Sequence, residues 1–157
     1  MATQNYLVFD FGASNGRAVV ARFDGQRFTF KEIHHFENRP VQATGTLYWD
    51  ALRLFSELKI GIQKSMKAFP QITSLGVDTW GVDFVLLNKQ DELLGQPYHY
   101  RDVRTQGALT RAFRRVPRAE IFAQTGLQFM ELNSLYQLLA WQKQSPAILD
   151  AADTLLN

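Results

Sequence analysis

Two short segments of the sequence combine glycines with polar and charged side chains, a composition typical of loops that approach a ligand closely. The first segment comprises residues 10–17, DFGASNGR. Gly12 and Gly16 allow the backbone to bend and bring its N–H groups close to an anion. Ser14 adds a side-chain donor, and Arg17 adds a fixed positive charge. The segment predicts either a phosphate-binding hairpin or a structural glycine turn with a capping aspartate.

Asp10 follows a short apolar run, residues 6–9, which is typical of a buried strand. A carboxylate at the end of such a strand can hold Mg²⁺ through water. The segment is not a Walker loop, because the sequence contains no GxxxxGK(S/T) motif. It is not a dinucleotide-binding GxGxxG loop either, because a predicted strand follows it instead of a helix.

The second segment, residues 78–84 (DTWGVDF), also follows a predicted strand. An acidic residue directly after a buried strand, followed by a glycine, is common in ligand-binding loops. Trp80 can stack on a sugar face, and Gly81 lets a ligand approach the backbone. The alternative is a β-turn whose tryptophan belongs to the core, and these residues by themselves favour that alternative.

Residues 101–118 contain six arginines against one acidic residue, Asp102. Arg101 or Arg104 can pair with Asp102 or bind substrate hydroxyls, whereas the other arginines fit a solvated helix face. A net charge of +2 does not indicate a nucleic-acid partner. The three histidines lack the spacing of a metal site. The absence of cysteine excludes disulfides, zinc-thiolate sites and cysteine nucleophiles.

The first elements that must position these loops are three strands, predicted over residues 6–11, 17–23 and 28–36. The turn at Asp24-Gly25 is a strong hairpin signal. Three consecutive strands joined by tight turns predict an antiparallel meander. Residues 38–45 are predicted to form a loop.

A helix is predicted from Asp50, which can cap it, to about residue 67. Its apolar residues fall at three- and four-residue intervals and predict one buried stripe: Ala51, Leu54, Phe55, Leu58, Ile62 and Met66. Further strands are predicted at residues 72–77 and 84–87. Strands in mixed directions with a crossover helix indicate an α/β domain.

The last third of the sequence predicts helices at residues 107–115, 118–125 and 134–144, and then the start of a strand at residues 154–156. A domain rarely ends on such a strand, so the chain is expected to be the N-terminal piece of a longer protein. The sequence shows no targeting segment and no apolar stretch long enough to cross a bilayer. We therefore expect a cytoplasmic protein without a membrane partner.

Four segments, in order, resemble the FGGY carbohydrate kinases, members of the actin-like ATPase superfamily. They are residues 10–17, 76–87 (GVDTWGVDFVLL), 100–105 (YRDVRT) and 133–138 (NSLYQL). Within that family the last three are most similar to the kinases that act on L-rhamnulose. The resemblance implies that residues 1–157 are a partial N-terminal kinase domain of α/β, ribonuclease-H-like fold. Its sheet is expected to be mixed, with an antiparallel meander and crossover helices.

The resemblance also implies roles for individual residues. The residues implied to contact the phosphates of ATP are Gly12, Ala13, Ser14, Asn15, Gly16 and Arg17. Asp10 is implied to lie near Mg²⁺. The residues implied to form the sugar site are Gly81, which contacts the ketose, and Thr79, Trp80 and Asp83, which shape the pocket.

The implied reaction transfers the γ-phosphoryl group of ATP to L-rhamnulose. The catalytic aspartate of the family belongs to a second domain that this chain lacks, so no catalytic residue is assigned here and the chain alone is expected to be inactive. One alternative is a kinase for L-fuculose or xylulose. Another is a non-kinase, actin- or chaperone-like ATPase, although such proteins lack the loop around Trp80 and Gly81. A third is an α/β interaction domain without activity.

Overall fold

The computed structural model describes residues 3–157, which fold as two compact units. The first unit comprises the described residues up to Arg39 together with Asp50–Trp80, and the second comprises Pro40–Trp49 and Gly81–Asn157. The sequence predicts one partial domain, and the division of the chain between two units is a finding of the structure. No helix of the described chain is long and apolar enough to cross a membrane.

The regular elements follow one another in a β-β-β-β-β-α-β-β order, followed by a mainly helical stretch and a final strand. In chain order they are β1 (Gln4–Phe11), β2 (Asn15–Phe23), β3 (Phe28–Glu37), β4 (Val41–Ala43), β5 (Thr46–Tyr48), α1 (Ala51–Ala68), β6 (Ile72–Thr79), β7 (Val85–Leu87), a 3-10 helix (Val103–Thr105), α2 (Ala108–Phe113), α3 (Arg118–Thr125), α4 (Ser134–Gln144), α5 (Pro146–Ala151) and β8 (Thr154–Leu156).

The first unit contains a four-stranded mixed sheet in the order β3-β2-β1-β6. β1, β2 and β3 are antiparallel to one another, which confirms the predicted meander, and β6 runs parallel to β1. Alternate residues of β1, namely Leu7, Phe9 and Phe11, are buried on one face of the sheet. This face forms the core of the unit together with Ala18 and Val20 of β2.

Helix α1 packs on that core face, and Asp50 caps it by accepting a hydrogen bond from the Arg53 N–H at 3.0 Å. Leu54, Leu58 and Ile62 contact the core as predicted. The predicted stripe is wrong at two positions, because Phe55 and Met66 are 59% and 57% exposed. The buried face of α1 is instead centred on small residues, Gly61 and Ser65, which bring the helix close to the sheet.

The structure adds three local features, the first of which contradicts a prediction. The expected loop at residues 38–45 contains most of a small hairpin, in which β4 pairs with β5. Residues 84–87 do not join the main sheet, since β7 pairs with β8. Pro146 is the first residue of helix α5, in keeping with the preference of proline for the first turn of a helix.

The second unit has its core in two clusters. One contains Ala108, Ala112, Ile121 and Tyr136, and the other contains Phe84, Leu86 and Trp141. His99 is also buried in this unit. Its ring centroid lies 4.0 Å from that of Trp49, and its Nδ1 atom accepts a hydrogen bond from the Arg101 N–H at 3.0 Å. Accepting that bond requires an unprotonated Nδ1.

The pKa of His99 is lowered from its ordinary value, mainly because burial disfavours the charged imidazolium. Asp83 and Asp102 act in the opposite direction, and Arg101 adds to the lowering. Above the ordinary pKa, the neutral ring is present in both the folded and the unfolded chain. As the pH falls below that value, the unfolded chain binds a proton that the folded chain resists, so stability is lost.

We predict that Gly61→Ala destabilises the first unit. A Cβ atom at this position lies 2.6 Å from Phe9 Cε1 and 3.0 Å from the Ala18 Cβ atom. Overpacking of this kind costs typically about 1–3 kcal/mol, which outweighs the gain of about 1 kcal/mol in helix propensity. Urea denaturation is expected to show a net loss in the free energy of unfolding. Gln63→Ala, at an exposed position of α1, is the control, and equal stability of the two variants contradicts the close packing.

We also predict that His99 titrates below the ordinary pKa of histidine and makes the second unit less stable in acid. An NMR titration of the ring protons measures its pKa directly, and thermal unfolding between pH 7.5 and 5.5 measures the effect on stability. The acid-dependent loss is expected to be smaller in His99→Asn, whose amide oxygen can still accept the Arg101 hydrogen bond. An His99 pKa at or above the ordinary value contradicts the argument.

Candidate functional site

The glycine-containing segment of residues 10–17 forms a hairpin turn between β1 and β2. The Gly12 N–H donates to the Asn15 carbonyl oxygen at 2.8 Å and closes the turn. Asn38, which is buried, fixes the turn from the end of β3. Its Nδ2 donates to the Gly12 oxygen at 2.9 Å, and its backbone N–H donates to the Ser14 oxygen at 3.0 Å. Asn38 was not predicted as part of the turn, because nothing in the neighbouring sequence distinguishes it from a loop residue.

The backbone donors at the tip of this turn remain available to a ligand. Among residues 3–157, neither the Ala13 N–H nor the Ser14 N–H donates a hydrogen bond within the protein. Both residues lie outside the ladder that joins β1 to β2, and Ser14 is exposed. A turn whose carbonyls are fixed and whose N–H groups are uncommitted is suited to an anion such as a phosphate.

The two glycines of the turn are needed because they lack a Cβ atom, and not because of an unusual backbone angle. A Cβ atom on Gly12 would lie 3.0 Å from the Asn15 oxygen that closes the turn. A Cβ atom on Gly16 would lie 2.2 Å from the ring of Phe36. Neither glycine has a positive φ. The ring of Phe36 therefore occupies the space that a side chain at position 16 needs, whereas a side chain at position 12 requires a small shift of the turn.

Charged groups are concentrated at the end of β1. Arg17 Nη2 lies 2.8 Å from Asp10 Oδ2, and the two side chains are 48% and 44% exposed. Asp10 is also paired in register with Asp78 on the parallel strand β6. Because paired residues of neighbouring strands share a face and lie about 4.8 Å apart, two carboxylates stand side by side here. Arg17 offsets part of their repulsion.

The described residues do not form a metal site by themselves. Within residues 3–157 no group of three or more His, Asp or Glu side chains is arranged to hold a metal ion. Mg²⁺, however, is often held by one or two carboxylates, several waters and the phosphates of the substrate. Asp10 and Asp78 fit that requirement, so the donor set suits Mg²⁺ accompanied by a nucleotide.

The predicted sugar loop begins where β6 ends. Thr79 is the last residue of β6 and is exposed, and Trp80 packs against the core of the first unit. Gly81 is exposed, and apart from its two chain neighbours no residue of the described chain has an atom within 4 Å of the position its Cβ would take. Of these residues, Gly81 therefore offers the most open backbone to a ligand.

Val82, the next residue, has a φ of 73°, which is rare for a β-branched side chain. Such a conformation costs roughly 1–3 kcal/mol and persists only where the surroundings enforce it. Two side chains of α4 donate to the Val82 carbonyl oxygen: Ser134 Oγ at 2.8 Å and Gln137 Nε2 at 3.1 Å. Both residues belong to the segment NSLYQL, which carries part of the family resemblance, but the sequence alone predicted no role for either of them.

Asp83 is buried and held from two sides. Trp49 Nε1 donates to Asp83 Oδ2 at 2.5 Å, and Gln137 Nε2 donates to Asp83 Oδ1 at 2.7 Å. The carboxylate thus shapes the loop from inside the second unit. Trp49 was not predicted as a partner, because residues 49 and 83 are brought together only by the tertiary fold.

Arg104 completes this buried polar network. Its Nη2 donates to Gln137 Oε1 at 2.6 Å, and its guanidinium carbon lies 3.9 Å from the centroid of the Tyr98 ring. Burial lowers the pKa of Arg104 from its usual value, an effect opposed by Tyr98 and Asp102. Burial also raises the pKa of Tyr98. Of the two predicted candidates for hydroxyl binding, Arg104 is committed to the interior and Arg101 is exposed.

A cavity of about 270 Å³ opens beside the loop within the second unit. Its wall combines apolar side chains with a few polar ones, as small-molecule sites commonly do. The lining residues are Val82, Ile121, Thr125, Leu127, Gln128, Asn133, Ser134, Leu135 and Tyr136.

Known proteins with similar sequences include rhamnulokinases. The chain is 40% identical over 153 residues to a rhamnulokinase from Bacteroides thetaiotaomicron, with 98% of this chain and 32% of that protein aligned. It is also 40% identical over 153 residues to a rhamnulokinase from Halalkalibacterium halodurans, with 97% of this chain and 32% of that protein aligned. The chain therefore spans about a third of the length of these relatives.

Solved structures support the fold. A gluconate kinase from Lactobacillus acidophilus superposes with a TM-score of 0.84 at 16% identity, covering 99% of this chain and 32% of that one. A glycerol kinase from Plasmodium falciparum with ADP gives 0.75 at 15% identity, covering 99% and 32%. The model of the N-terminal domain of the FGGY family of carbohydrate kinases matches residues 5–156. The alternating β1 core, the β1–β2 turn and the loop around Gly81 thus lie within that match, and the chain belongs to the FGGY family of carbohydrate kinases.

Proposed function

We propose that the whole protein transfers the γ-phosphoryl group of ATP to L-rhamnulose, giving L-rhamnulose 1-phosphate and ADP. The observation that carries the proposal is the β1–β2 turn, where Asn38 fixes the carbonyls while the Ala13 and Ser14 N–H groups are uncommitted. The similarity to rhamnulokinases supports the choice of sugar. An ATP-dependent reaction of a small sugar also supports a cytoplasmic location.

The proposal assigns roles to the phosphate turn, to the carboxylates at its base and to the loop that follows β6. The turn from Gly12 to Arg17 binds the phosphates of ATP through backbone N–H groups and one guanidinium, which balance charge on the transferring group. Asp10, with Asp78 beside it, is the carboxylate that holds Mg²⁺. When bound, Mg²⁺ neutralises charge on the phosphate oxygens. Gly81 lets the ketose approach the backbone, and Asp83 supports the loop from behind.

The proton of the attacking sugar hydroxyl requires a general base, which in this proposal is a carboxylate. Asp10 and Asp78 face the metal in this proposal, and Asp83 is engaged by Trp49 and Gln137. None of the three is therefore assigned as the base, and we infer that a second domain of the whole protein supplies it. The relatives have two thirds of their length outside the aligned region, which accommodates such a domain.

The activity is tested with a full-length enzyme that contains this chain, by measuring ATP-dependent phosphorylation of L-rhamnulose, L-fuculose and D-xylulose. The kcat/KM is expected to be highest for L-rhamnulose. A higher value for another ketose overturns the choice of sugar, and inactivity toward all three overturns the proposed kinase reaction.

For the phosphate turn, we predict that Gly12→Val folds but weakens ATP binding and lowers kcat/KM by about 100-fold or more. The new side chain crowds the Asn15 oxygen and the backbone that approaches the phosphates. Gly76→Val is the matched control, because within residues 3–157 only its chain neighbours have atoms within 4 Å of a Cβ at that strand position. A purely structural turn would instead lower the melting temperature and leave activity per folded molecule unchanged.

For the metal carboxylate, we predict that Asp10→Asn lowers kcat by about 10- to 100-fold and leaves the KM for ATP nearly unchanged. The ion pair with Arg17 is half exposed, so its loss costs at most about 1 kcal/mol of stability. Asp150→Asn, an exposed change on α5, is the control. Rates and melting temperatures are measured on the same preparations. Normal kcat in folded Asp10→Asn removes Asp10 from the site.

A further inference from the structure

We propose that Ser134 and Gln137 are positioning residues that hold the loop of residues 81–83 in the conformation that binds the ketose. The proposal deepens the proposed function and rests on it for the identity of the ligand. We call the arrangement of Ser134, Gln137 and the Val82 carbonyl oxygen the carbonyl clamp. All three residues belong to the second unit, so the clamp is contained within one compact unit.

The need for a clamp follows from the backbone of Val82. With a φ of 73°, this β-branched residue occupies a region that it does not favour. Released from its surroundings, the residue would relax toward a negative φ, and the peptide plane it shares with its neighbours would rotate. Since Gly81 directly precedes Val82, such a relaxation would also move the backbone of Gly81.

The clamp opposes that relaxation with two donors on one acceptor. Ser134 Oγ donates to the Val82 oxygen at 2.8 Å, and Gln137 Nε2 donates to it at 3.1 Å. Both donors lie in the first turn of α4, an ordered helix whose Tyr136 belongs to the core. The Val82 carbonyl is therefore fixed to a rigid element and not to another loop.

Gln137 links the clamp to the rest of the buried network. Its side-chain nitrogen also lies 2.7 Å from Asp83 Oδ1 and 2.9 Å from the Leu132 oxygen. Because an amide nitrogen carries two hydrogens, three acceptors share them, and the longest bond, to Val82, is the shared one. Its own oxygen accepts from Arg104 Nη2 at 2.6 Å, which orients the amide so that its nitrogen faces the loop. With 1% of its surface exposed, Gln137 has no solvent to satisfy these groups in another orientation.

The position of the clamp connects it to ligand binding. Val82 and Ser134 both line the cavity of about 270 Å³. Gly81, on the other side of Val82, is the open backbone position proposed to contact the sugar. A change in the clamp therefore alters both the cavity wall and the backbone next to it, whereas the ATP turn lies in the other unit.

The deciding experiment uses Ser134→Ala in a full-length enzyme that contains this chain. We expect the KM for L-rhamnulose to rise about fivefold, which corresponds to about 1 kcal/mol, with the KM for ATP unchanged. Ser134→Thr keeps the hydroxyl and is expected to restore the sugar KM. Ser145→Ala makes the same change at the other end of α4, where the side chain makes no hydrogen bond within the described residues, and is the matched control.

Gln137→Glu is a stronger variant, since it keeps the shape of the side chain but turns the shared donor into an acceptor. It is expected to raise the sugar KM more than Ser134→Ala does. Because the site is buried and this variant is at risk of not folding, Ser134→Ala remains the deciding change.

The rate of amide hydrogen exchange in the peptide covering residues 80–87 reports how firmly the clamp holds the loop, and it does not depend on enzyme activity. Faster exchange in Ser134→Ala together with a raised sugar KM supports the proposal. Unchanged exchange overturns the clamp, and faster exchange with an unchanged sugar KM overturns its role in sugar binding. If the unsubstituted enzyme phosphorylates no ketose, the proposed function is overturned, and so is the role of the clamp in sugar binding. The hydrogen-exchange rate of residues 80–87 still decides whether the clamp exists.

Discussion

The structure of the first unit depends on the pairing of β1 with a strand on each side. β2 pairs with it in the antiparallel direction and β6 in the parallel direction. The tight β1–β2 turn and the end of β6 are therefore brought to the same end of the sheet. Hydrogen-bond register then sets Asp10 beside Arg17 on one neighbour and beside Asp78 on the other. A shift of one residue would turn each of these side chains to the opposite face.

The second unit depends on a different constraint, the burial of a charge. Arg104 is nearly enclosed, and a buried guanidinium is costly unless hydrogen bonds and nearby negative charge compensate it. The compensation comes from Gln137, the Tyr98 ring and Asp102. Once Gln137 is oriented by Arg104, its nitrogen faces the Val82 and Leu132 oxygens and Asp83 Oδ1, and so the charge is linked physically to the backbone of Val82.

Close approach of backbone to side chain recurs as a structural device in the first unit. Gly61 lets α1 settle on Phe9, and Gly16 lets β2 pass under the ring of Phe36. Neither residue has a positive φ, so it is the missing Cβ atom that makes the close approach possible. The same closeness explains why the predicted helix stripe was partly wrong. A helix seated on its small residues turns Phe55 and Met66 away from the sheet.

Local patterns were sufficient to predict the meander, helix α1 with its Asp50 cap, α3, α4 and the β1–β2 turn, because each depends on residues close together in the sequence. The short hairpin of β4 and β5 escaped prediction because strands of three residues carry little periodicity. The buried face of α1 was only partly predicted, since apolar spacing does not reveal how near the sheet will lie.

By itself the sequence determined the family, through four motifs in order, and singled out residues 10–17 as a candidate phosphate turn, because side-chain type and spacing can be read directly from the chain. A sugar role for residues 79–83 came only from the family resemblance. Only the tertiary structure decided how those residues are held. Asn38 reaches Gly12 across 26 positions, and Gln137 reaches Asp83 across 54. Partners so far apart in sequence share no local signal, since their proximity results from strand register and from the packing of α4, which depend on the whole fold.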